Sequence, residues 1–303
     1  MVACKIGVYN ITMLEFNVPV TELVQKRFSC RTYRWETIPL EKREQLQTWM
    51  QALPDGPFGS HPRFKLVAAT ETDSKSLRGL GTYGFIKNPT AFILGGMKPS
   101  EFDLEDFGYL MEAIILFATG LELGTCWLGG TFTKSSFARQ MDLTADESIP
   151  AVTSLGEFVE PAQKRRGLAS RTAGSERRLP WDILFFNADF RTPLSRNQSG
   201  KYGFVLEMVR LGPSASNKQP WRILRYNKLW RFYLRRTPGY YNDPIKRILG
   251  LCDLQRLDMG IAMCHFELAA QTCGLKGKWV VENGIVQSPE TLNEYIVSWE
   301  SRE

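Results

Sequence analysis

A stretch of 22 residues occurs twice in this chain, at 106–127 and again at 258–279. Each copy begins with an aspartate, continues with a long apolar segment and ends with a glycine-containing stretch and a tryptophan. An acidic start, a long apolar body and a glycine-rich end are typical of a capped, mostly buried helix. At a constant offset of 152 and without a gap, the copies share Asp106/Asp258, Gly108/Gly260, Met111/Met263, Leu116/Leu268, Ala118/Ala270, Leu123/Leu275 and Trp127/Trp279.

Short segments upstream of the two predicted helices also repeat in the same order. Each copy has a Gly-Pro turn, then an X-Pro pair, then a short apolar strand: Gly56-Pro57, His61-Pro62 and 64–67 in the first, Gly212-Pro213, Gln219-Pro220 and 222–224 in the second. The chain therefore reads as two diverged copies of one unit of about 150 residues, a period too long for a solenoid. If that unit once formed a two-fold dimer, the same helix would pack against itself across an isologous interface.

Composition restricts the class of protein without choosing its ligand. Hydrophobic residues make up 43% and charged residues 23%, as in globular proteins. The net charge of +6 is compatible with nucleic acid, an anionic membrane surface, a phosphate-bearing ligand or simply a solvated surface. Six cysteines without a C-x-x-C pair fit a reducing cytosol, and two histidines without close Cys/His spacing argue against structural zinc. We expect a cytoplasmic protein, because no secretory signal is apparent and Glu112 and Glu122 interrupt the apolar run at 109–119.

The coarse organisation follows from periodicity and turn residues. We predict an N-terminal extension at 1–18, a first half at 19–161, a basic linker at 162–180 and a second half at 181–303. The linker has charge without aromatic residues, which is a poor match to single-stranded nucleic-acid binding. Predicted elements are helices at 19–26, 39–53 (Leu40, Leu46, Trp49 and Met50 inward), 198–210 and from a Thr133 cap to Met141, and strands near 64–70, 80–86, 91–95 and 149–156.

Two segments of the first half carry candidate ligand-binding groups. In an extended segment Arg27, Ser29 and Arg31 would point the same way, and two guanidiniums with a hydroxyl suit a phosphate monoester. A solvated helix end, with arginine near the helix C-terminus, explains the same residues. The glycine-rich run 124–130 would let the backbone approach a flat ligand closely, although glycines after a helix are often C-caps.

A third segment, 213–221, opens the strand region of the second half. Its short hydroxyl and amide side chains can hydrogen-bond a ligand edge rich in donors and acceptors, or can simply form a turn. The corresponding stretch of the first half, 57–62, is shorter and has no asparagine, and the second half has no Arg-x-Ser-x-Arg before its helix at 198–210.

Together the three motifs resemble the flavin-dependent nitroreductase family, in a tandem form where one chain makes a pseudo-dimer. The resemblance covers most of residues 19–282. It implies an α+β fold, with helices packed around a mixed, mainly antiparallel sheet, and FMN bound at the interface between the two halves. It also implies NAD(P)H as the co-substrate.

The resemblance assigns roles to particular residues. Phosphate and the polar edge of the flavin would be held by Arg27, Ser29 and Arg31, with Lys164 and Arg166 completing the phosphate site. Backbone groups near the hydride-accepting N5 would come from Leu128, Gly129 and Gly130. The second half would line the flavin with Pro213, Ser214 and Asn217, while Ala215 stands where the family often has another serine.

The first half keeps the Arg-x-Ser-x-Arg motif, and the second half keeps the Ser/Asn turn. We therefore predict one complete site and one FMN per chain. No side chains form a nucleophile-base triad, and His265 reads as a core histidine, so the flavin would carry the chemistry. The expected reaction is ping-pong transfer from NAD(P)H to a nitroaromatic, quinone or similar acceptor. We expect no nucleic-acid or membrane partner, and the internal interface is compatible with a monomer. Three alternatives stay open: another flavin chemistry such as reductive dehalogenation or flavin fragmentation, flavin binding without turnover, and nucleic-acid binding through the linker.

Overall fold

The computed structural model describes residues 14–70, 72–73, 76–158, 177–240, 252–285 and 292–302. Its helices are α1 (Val20–Lys26), α2 (Leu40–Gln51), α3 (Asp103–Gly120), α4 (Lys134–Met141), α5 (Trp181–Leu184), α6 (Tyr202–Leu211) and α7 (Leu254–Thr272). Its strands are β1 (Arg63–Ala68), β2 (Ala91–Gly96), β3 (Gly124–Leu128), β4 (Val152–Gly156), β5 (Phe185–Asn187), β6 (Asp189–Pro193), β7 (Trp221–Tyr226), β8 (Leu229–Arg235), β9 (Gly277–Val280) and β10 (Asn293–Ser301).

The strands form one sheet in each half of the chain. The first sheet has the order β1-β2-β4-β3, and every neighbouring pair in it is antiparallel. The second has the order β6-β5-β7-β8-β10-β9, in which only β5 and β7 run parallel. Four strands of the second sheet, β7-β8-β10-β9, thus repeat the order of the first. The predicted α+β class with a mixed, mainly antiparallel sheet is confirmed.

The two long helices α3 and α7 pack against each other between the sheets. Both are buried on nearly every side, which explains why most of their residues are apolar. At their crossing a Cβ added to Gly108 would meet the carbonyl oxygen of Leu257, and one added to Gly260 would meet the carbonyl oxygen of Glu105. The backbones touch there because neither glycine has a side chain.

Polar side chains join α3 and α7 beside this crossing. Arg256 donates to both oxygens of the buried Glu105, at 2.8 and 2.5 Å. Tyr109 Oη donates to Glu267 at 3.0 Å, and Trp279 Nε1 donates to the same carboxylate at 2.6 Å. Burial raises the pKa of Glu267 to about 7, against an ordinary value of 4.5. The seam between the halves, which is the interface between α3 and α7, therefore contains a carboxyl group with a pKa near neutrality.

Several sequence-based expectations are wrong in detail. Asp106 and Asp258 do not begin their helices: α3 begins at Asp103, and Asp253 caps α7 by accepting from the amides of Gln255 and Arg256. Leu40 is 59% exposed rather than inward, because it opens α2.

The predicted strand at 80–86 is a series of turns and bends. Thr133 is the N-cap residue of α4, as predicted, but its hydroxyl donates to the carbonyl of Gly81 and not to the helix. No helix in the described part of the chain is both long and apolar enough to cross a membrane. Residues 1–13 of the predicted extension and 162–176 of the predicted linker, including Lys164 and Arg166, lie outside the described residues.

The crossing can be tested with single methyl groups. We expect Gly108→Ala and Gly260→Ala each to lower the free energy of unfolding by about 1–3 kcal/mol, because the new Cβ overlaps a carbonyl oxygen. Gly120→Ala, on the same helix as Gly108, is the control, because its Cβ would make an ordinary van der Waals contact with the Leu23 side chain at 3.6 Å. Urea denaturation measures all three, and equal stability of the Gly108 and Gly120 variants would rule out the close crossing.

Glu267 makes stability depend on pH. Its pKa is raised in the folded state, so the folded protein binds more protons than the unfolded chain between pH 4.5 and about 7. Stability should therefore fall as pH rises through this window, by on the order of 3 kcal/mol from this group. Urea midpoints at several pH values should show a shallower fall for Glu267→Gln. The exposed-site variant Glu41→Gln should keep the wild-type profile, and a Glu267→Gln profile that matches it would contradict the assignment.

Candidate flavin site

The Arg-x-Ser-x-Arg segment lies along the β3 edge of the first sheet. Ser29 pairs with Thr125 in a parallel bridge, and the amide of Cys30 donates to the carbonyl of Thr125 at 2.8 Å. Gly124 allows this approach, because a Cβ there would be 2.9 Å from that of Cys30. The segment is thus extended where it pairs with β3, as the predicted convergence of its side chains requires. Arg27 is also the C-cap of α1, where its amide donates to the carbonyl of Leu23 at 2.8 Å, so the helix-end interpretation is correct for this residue.

Both arginine side chains of this segment reach into the protein, and each has an N–H donor without a hydrogen-bond acceptor among the described residues. The side chain of Arg27 is only 6% exposed, and its Nε lies 3.8 Å from Glu112 Oε1. That Nε and Nη1 of Arg31 are buried and have no hydrogen-bond acceptor among the described residues. Burial raises the pKa of the neighbouring Cys126 thiol, and Arg31 and Arg27 partly offset this rise. Buried cationic donors without acceptors are costly, and an anionic ligand would remove that cost. The residues present therefore fit a phosphate-bearing group.

A buried carboxylate of α3 connects Arg27 to the second half. Glu112 accepts from Trp127 Nε1 at 2.7 Å, and its other oxygen lies 2.9 Å from His265 Nε2. His265 Nδ1 lies 2.9 Å from the carbonyl of Met208, which can only accept, so this nitrogen carries a proton. His265 is therefore a satisfied core histidine, as predicted, and it also fixes the carboxylate that faces Arg27. A lone glutamate in an apolar run, Glu112, is a weak sequence signal for this role.

The glycines after α3 lie in and after strand β3, so they are not helix caps. Leu128 ends β3 opposite Val152 and is buried. A Cβ on Gly129 would come within 2.5 Å of the Leu254 side chain, the first residue of α7. The glycine thus lets the end of β3 lie directly against the second half.

The Ser/Asn turn of the second half precedes β7. Ser214 Oγ accepts from the amide of Gln219 at 2.8 Å. The Asn217 side chain donates to the carbonyl of Arg177 at 2.8 Å and accepts from Arg178 Nη1 at 2.7 Å. Ser216, Asn217 and Gln219 have φ of 49°, 53° and 47°. Non-glycine residues in this region are strained, and such strain concentrates at functional sites.

Contacts through the paired helices α3 and α7 connect the candidate segments of the first half with the Ser/Asn turn of the second. From Arg27 the contacts lead through Glu112 to His265, whose Nδ1 would be 3.5 Å from a Cβ on Gly212, at the start of the turn. From Gly129 they lead to Leu254 and along α7 to Asp258.

Asp258 accepts from the amide of Ala215 at 2.8 Å, and its counterpart Asp106 accepts from those of Phe58 and Ser60, each at 2.9 Å. The matched aspartates therefore hold the matched loops, which is why both are buried away from their helix ends.

Comparison with known proteins is consistent with this geometry. The family model described as "Putative TM nitroreductase" matches residues 19–270. A crystal structure described as a putative nitroreductase from Thermotoga maritima is 18% identical, with a TM-score of 0.57, and the match covers 97% of this chain and 99% of that one. That similarity shows a shared fold over nearly the whole length.

Other solved structures match only about half of this chain. A nitroreductase with bound FMN from Bacteroides fragilis has a TM-score of 0.38 at 20% identity, over 48% of this chain and 91% of that one. An FMN-dependent nitroreductase from Clostridium difficile has a TM-score of 0.38 at 20% identity, over 46% and 87%. No curated protein matches significantly.

Glu112 offers a test of the buried network. We expect Glu112→Ala to lower the free energy of unfolding by about 3–5 kcal/mol, because Arg27 and His265 lose their shared carboxylate in the interior. Glu112→Gln should cost less, since its amide oxygen can still accept from Trp127. Denaturation curves of both variants measure the difference. Equal, small losses in the two would show that the carboxylate charge is unimportant there.

Proposed function

The chain belongs to the nitroreductase family, and from this premise we propose that it is an FMN-dependent oxidoreductase. The observation that carries the proposal is the pair Arg27 and Arg31 beside the β3 edge, each with a buried donor that has no acceptor in the part of the chain that the structure describes. A phosphate and a polar ring edge are the groups that such donors bind through charge-assisted hydrogen bonds.

We further infer that the chain is an internal pseudo-dimer. Gly108 lies against Leu257 and Gly260 against Glu105, and within each of the pairs Gly108/Gly260 and Glu105/Leu257 the members are 152 residues apart. Contacts in which residue i meets the counterpart of j, and j meets the counterpart of i, define an isologous interface. The repeated strand order supports the same reading.

The proposed cofactor site takes one part from each half. Arg27, Ser29 and Arg31 hold the phosphate and the ring edge, together with Lys164 and Arg166. Backbone groups of Leu128, Gly129 and Gly130 face the ring, and Pro213, Ser214 and Asn217 line it from the second half. Asn217 now bonds Arg177 and Arg178, so contact with a cofactor requires that it exchange these partners.

In this proposal the protein binds, orients and shields, and supplies no nucleophile. Bound FMN would supply hydride acceptance and donation at its N5. Arg27 is held in place by Glu112, which His265 and Trp127 fix in turn, so the binding cation is pre-oriented. We infer that NAD(P)H is the electron donor and that a nitroaromatic, quinone or similar molecule is the acceptor, each using the same site in turn.

The second pseudo-symmetric site is incomplete in this proposal. The chain preceding α6 has no Arg-x-Ser-x-Arg and instead forms β5 and β6 on the second sheet. One FMN per chain follows, and a monomer is sufficient because the interface is internal. This loss also favours a second candidate, a flavin-binding protein without turnover, from which steady NAD(P)H oxidation with a nitroaromatic acceptor would distinguish the enzyme.

Cofactor binding can be measured directly with purified protein and FMN. We expect a flavin absorbance spectrum and saturation at one FMN per chain. Arg27→Ala and Arg31→Ala should each weaken FMN binding roughly 10- to 100-fold, because each removes a charge-assisted contact. Arg34→Ala is the matched control, since this exposed arginine only reaches Glu36 at 4.0 Å.

Isothermal titration gives both the stoichiometry and the affinity. Saturation near two FMN per chain would refute the single-site assignment. Arginine variants that bind as tightly as the Arg34 control would remove these residues from the site, and protein that takes up no FMN would end the proposal.

A further inference from the structure

The two halves differ most in one β-hairpin. In the second half β7 and β8 are joined by residues 227–228, a tight turn in which Asn227 has a φ of 55°. In the first half the corresponding strands β1 and β2 are joined by residues 69–90. The long connection is thus confined to the half that carries the arginine motif, and no sequence motif identified above accounts for it.

The part of this connection from Gly81 to Lys87 is hydrogen-bonded beside both first-half motifs of the proposed flavin site. At one end the carbonyl of Gly81 accepts from the amide of Thr133 at 3.0 Å, just after the glycines that follow β3. At the other end the amide of Lys87 donates to the carbonyl of Arg31 at 2.8 Å, and the amide of Tyr33 donates to the carbonyl of Lys87 at 3.1 Å. The loop is therefore bonded to both first-half motifs of the site.

Two large aromatic side chains project from this anchored loop. Tyr83 is 69% exposed and Phe85 is 50% exposed, whereas Ile86 beside them is buried and holds the loop on the core. Neither ring contacts another aromatic ring in the described part of the chain. Tyr83 has a φ of 47°, a strained conformation for a bulky residue, and Gly84 follows with a φ of 76°. Strain in an anchored loop that displays apolar rings to solvent is characteristic of a binding element.

We propose that Tyr83 and Phe85 are specificity-determining residues that stack against a flat aromatic electron acceptor at the mouth of the flavin site. Aromatic rings favour offset or edge-to-face contact with another ring, so they select flat aromatic molecules over aliphatic or inorganic acceptors. This inference rests on the proposed function, since it requires a flavin between the glycine and arginine motifs. It adds that the first half supplies an aromatic contact to the acceptor.

The test compares aromatic binding with flavin binding in the same variants. Tyr83→Ala, Phe85→Ala and the ring-free Phe85→Leu would be loaded with FMN. Tyr226→Ala is the matched control, because Tyr226 is a partly exposed aromatic residue at the corresponding hairpin of the other half. Isothermal titration of the oxidised proteins with 4-nitrobenzamide gives an affinity without turnover. Reduction of menadione and of ferricyanide, each with NAD(P)H, gives the acceptor preference.

We expect each alanine variant to bind 4-nitrobenzamide about three- to tenfold more weakly and to lose kcat/KM for menadione by a similar factor. Ferricyanide reduction, FMN affinity and the Tyr226 variant should be unchanged, and Phe85→Leu should resemble Phe85→Ala if ring stacking matters. Unchanged aromatic binding in variants that hold FMN would overturn this inference alone. Failure of the wild-type protein to bind FMN would instead overturn the proposed function, and this inference with it.

Discussion

The backbone contact between α3 and α7 sets the geometry of the whole molecule. Gly108 and Gly260 bring the two helices together until a methyl group would overlap a carbonyl oxygen. That distance fixes how far apart the two sheets lie, since each helix packs on the sheet of its own half. It also decides which side chains can reach across the seam. Glu112 meets His265, and Gly129 meets the start of α7, only because the helices are this close.

Polar groups across the seam fix the register of the helices more than they stabilise the fold. Glu112 and His265 are both fully buried, and the desolvation of such a pair cancels much of its attraction. An apolar pair could be as stable, but it would tolerate sliding of one helix along the other. The Glu112 carboxylate contacts Trp127, His265 and, at a longer distance, Arg27. Only one register of the two helices allows all three contacts. The position of Arg27, the cation that we propose binds the cofactor, thereby depends on the packing of the central helix pair.

The sequence predicted the elements that local pattern decides and missed those that distant contacts decide. The two long helices and the strands at 63–68 and 91–96 follow from apolar runs and turn residues. The aspartates at 106 and 258 looked like helix starts, yet they are buried acceptors for loop amides some forty residues upstream. Residues 80–86 are rich in aromatic and β-branched side chains, as strands are, but backbone bonds to distant residues hold the segment as a loop. The motif residues were predicted from a family resemblance, whereas the link from Arg27 through Glu112 needed coordinates.

In the pseudo-dimer that we propose, the two copies belong to one chain, so they are free to differ. In a symmetric dimer any change in a loop appears twice, so a long connection that serves one site would also be built at the other. Here the first half has a long β1–β2 connection and the arginine motif, while the second keeps a tight turn and extends its sheet with β5 and β6. The surface of the seam stayed similar because each glycine must still fit the opposite helix. Under this proposal, packing at the crossing opposes sequence change in the two helices, whereas the loops around the proposed site can change, which accounts for a repeat that is recognisable only in the helices.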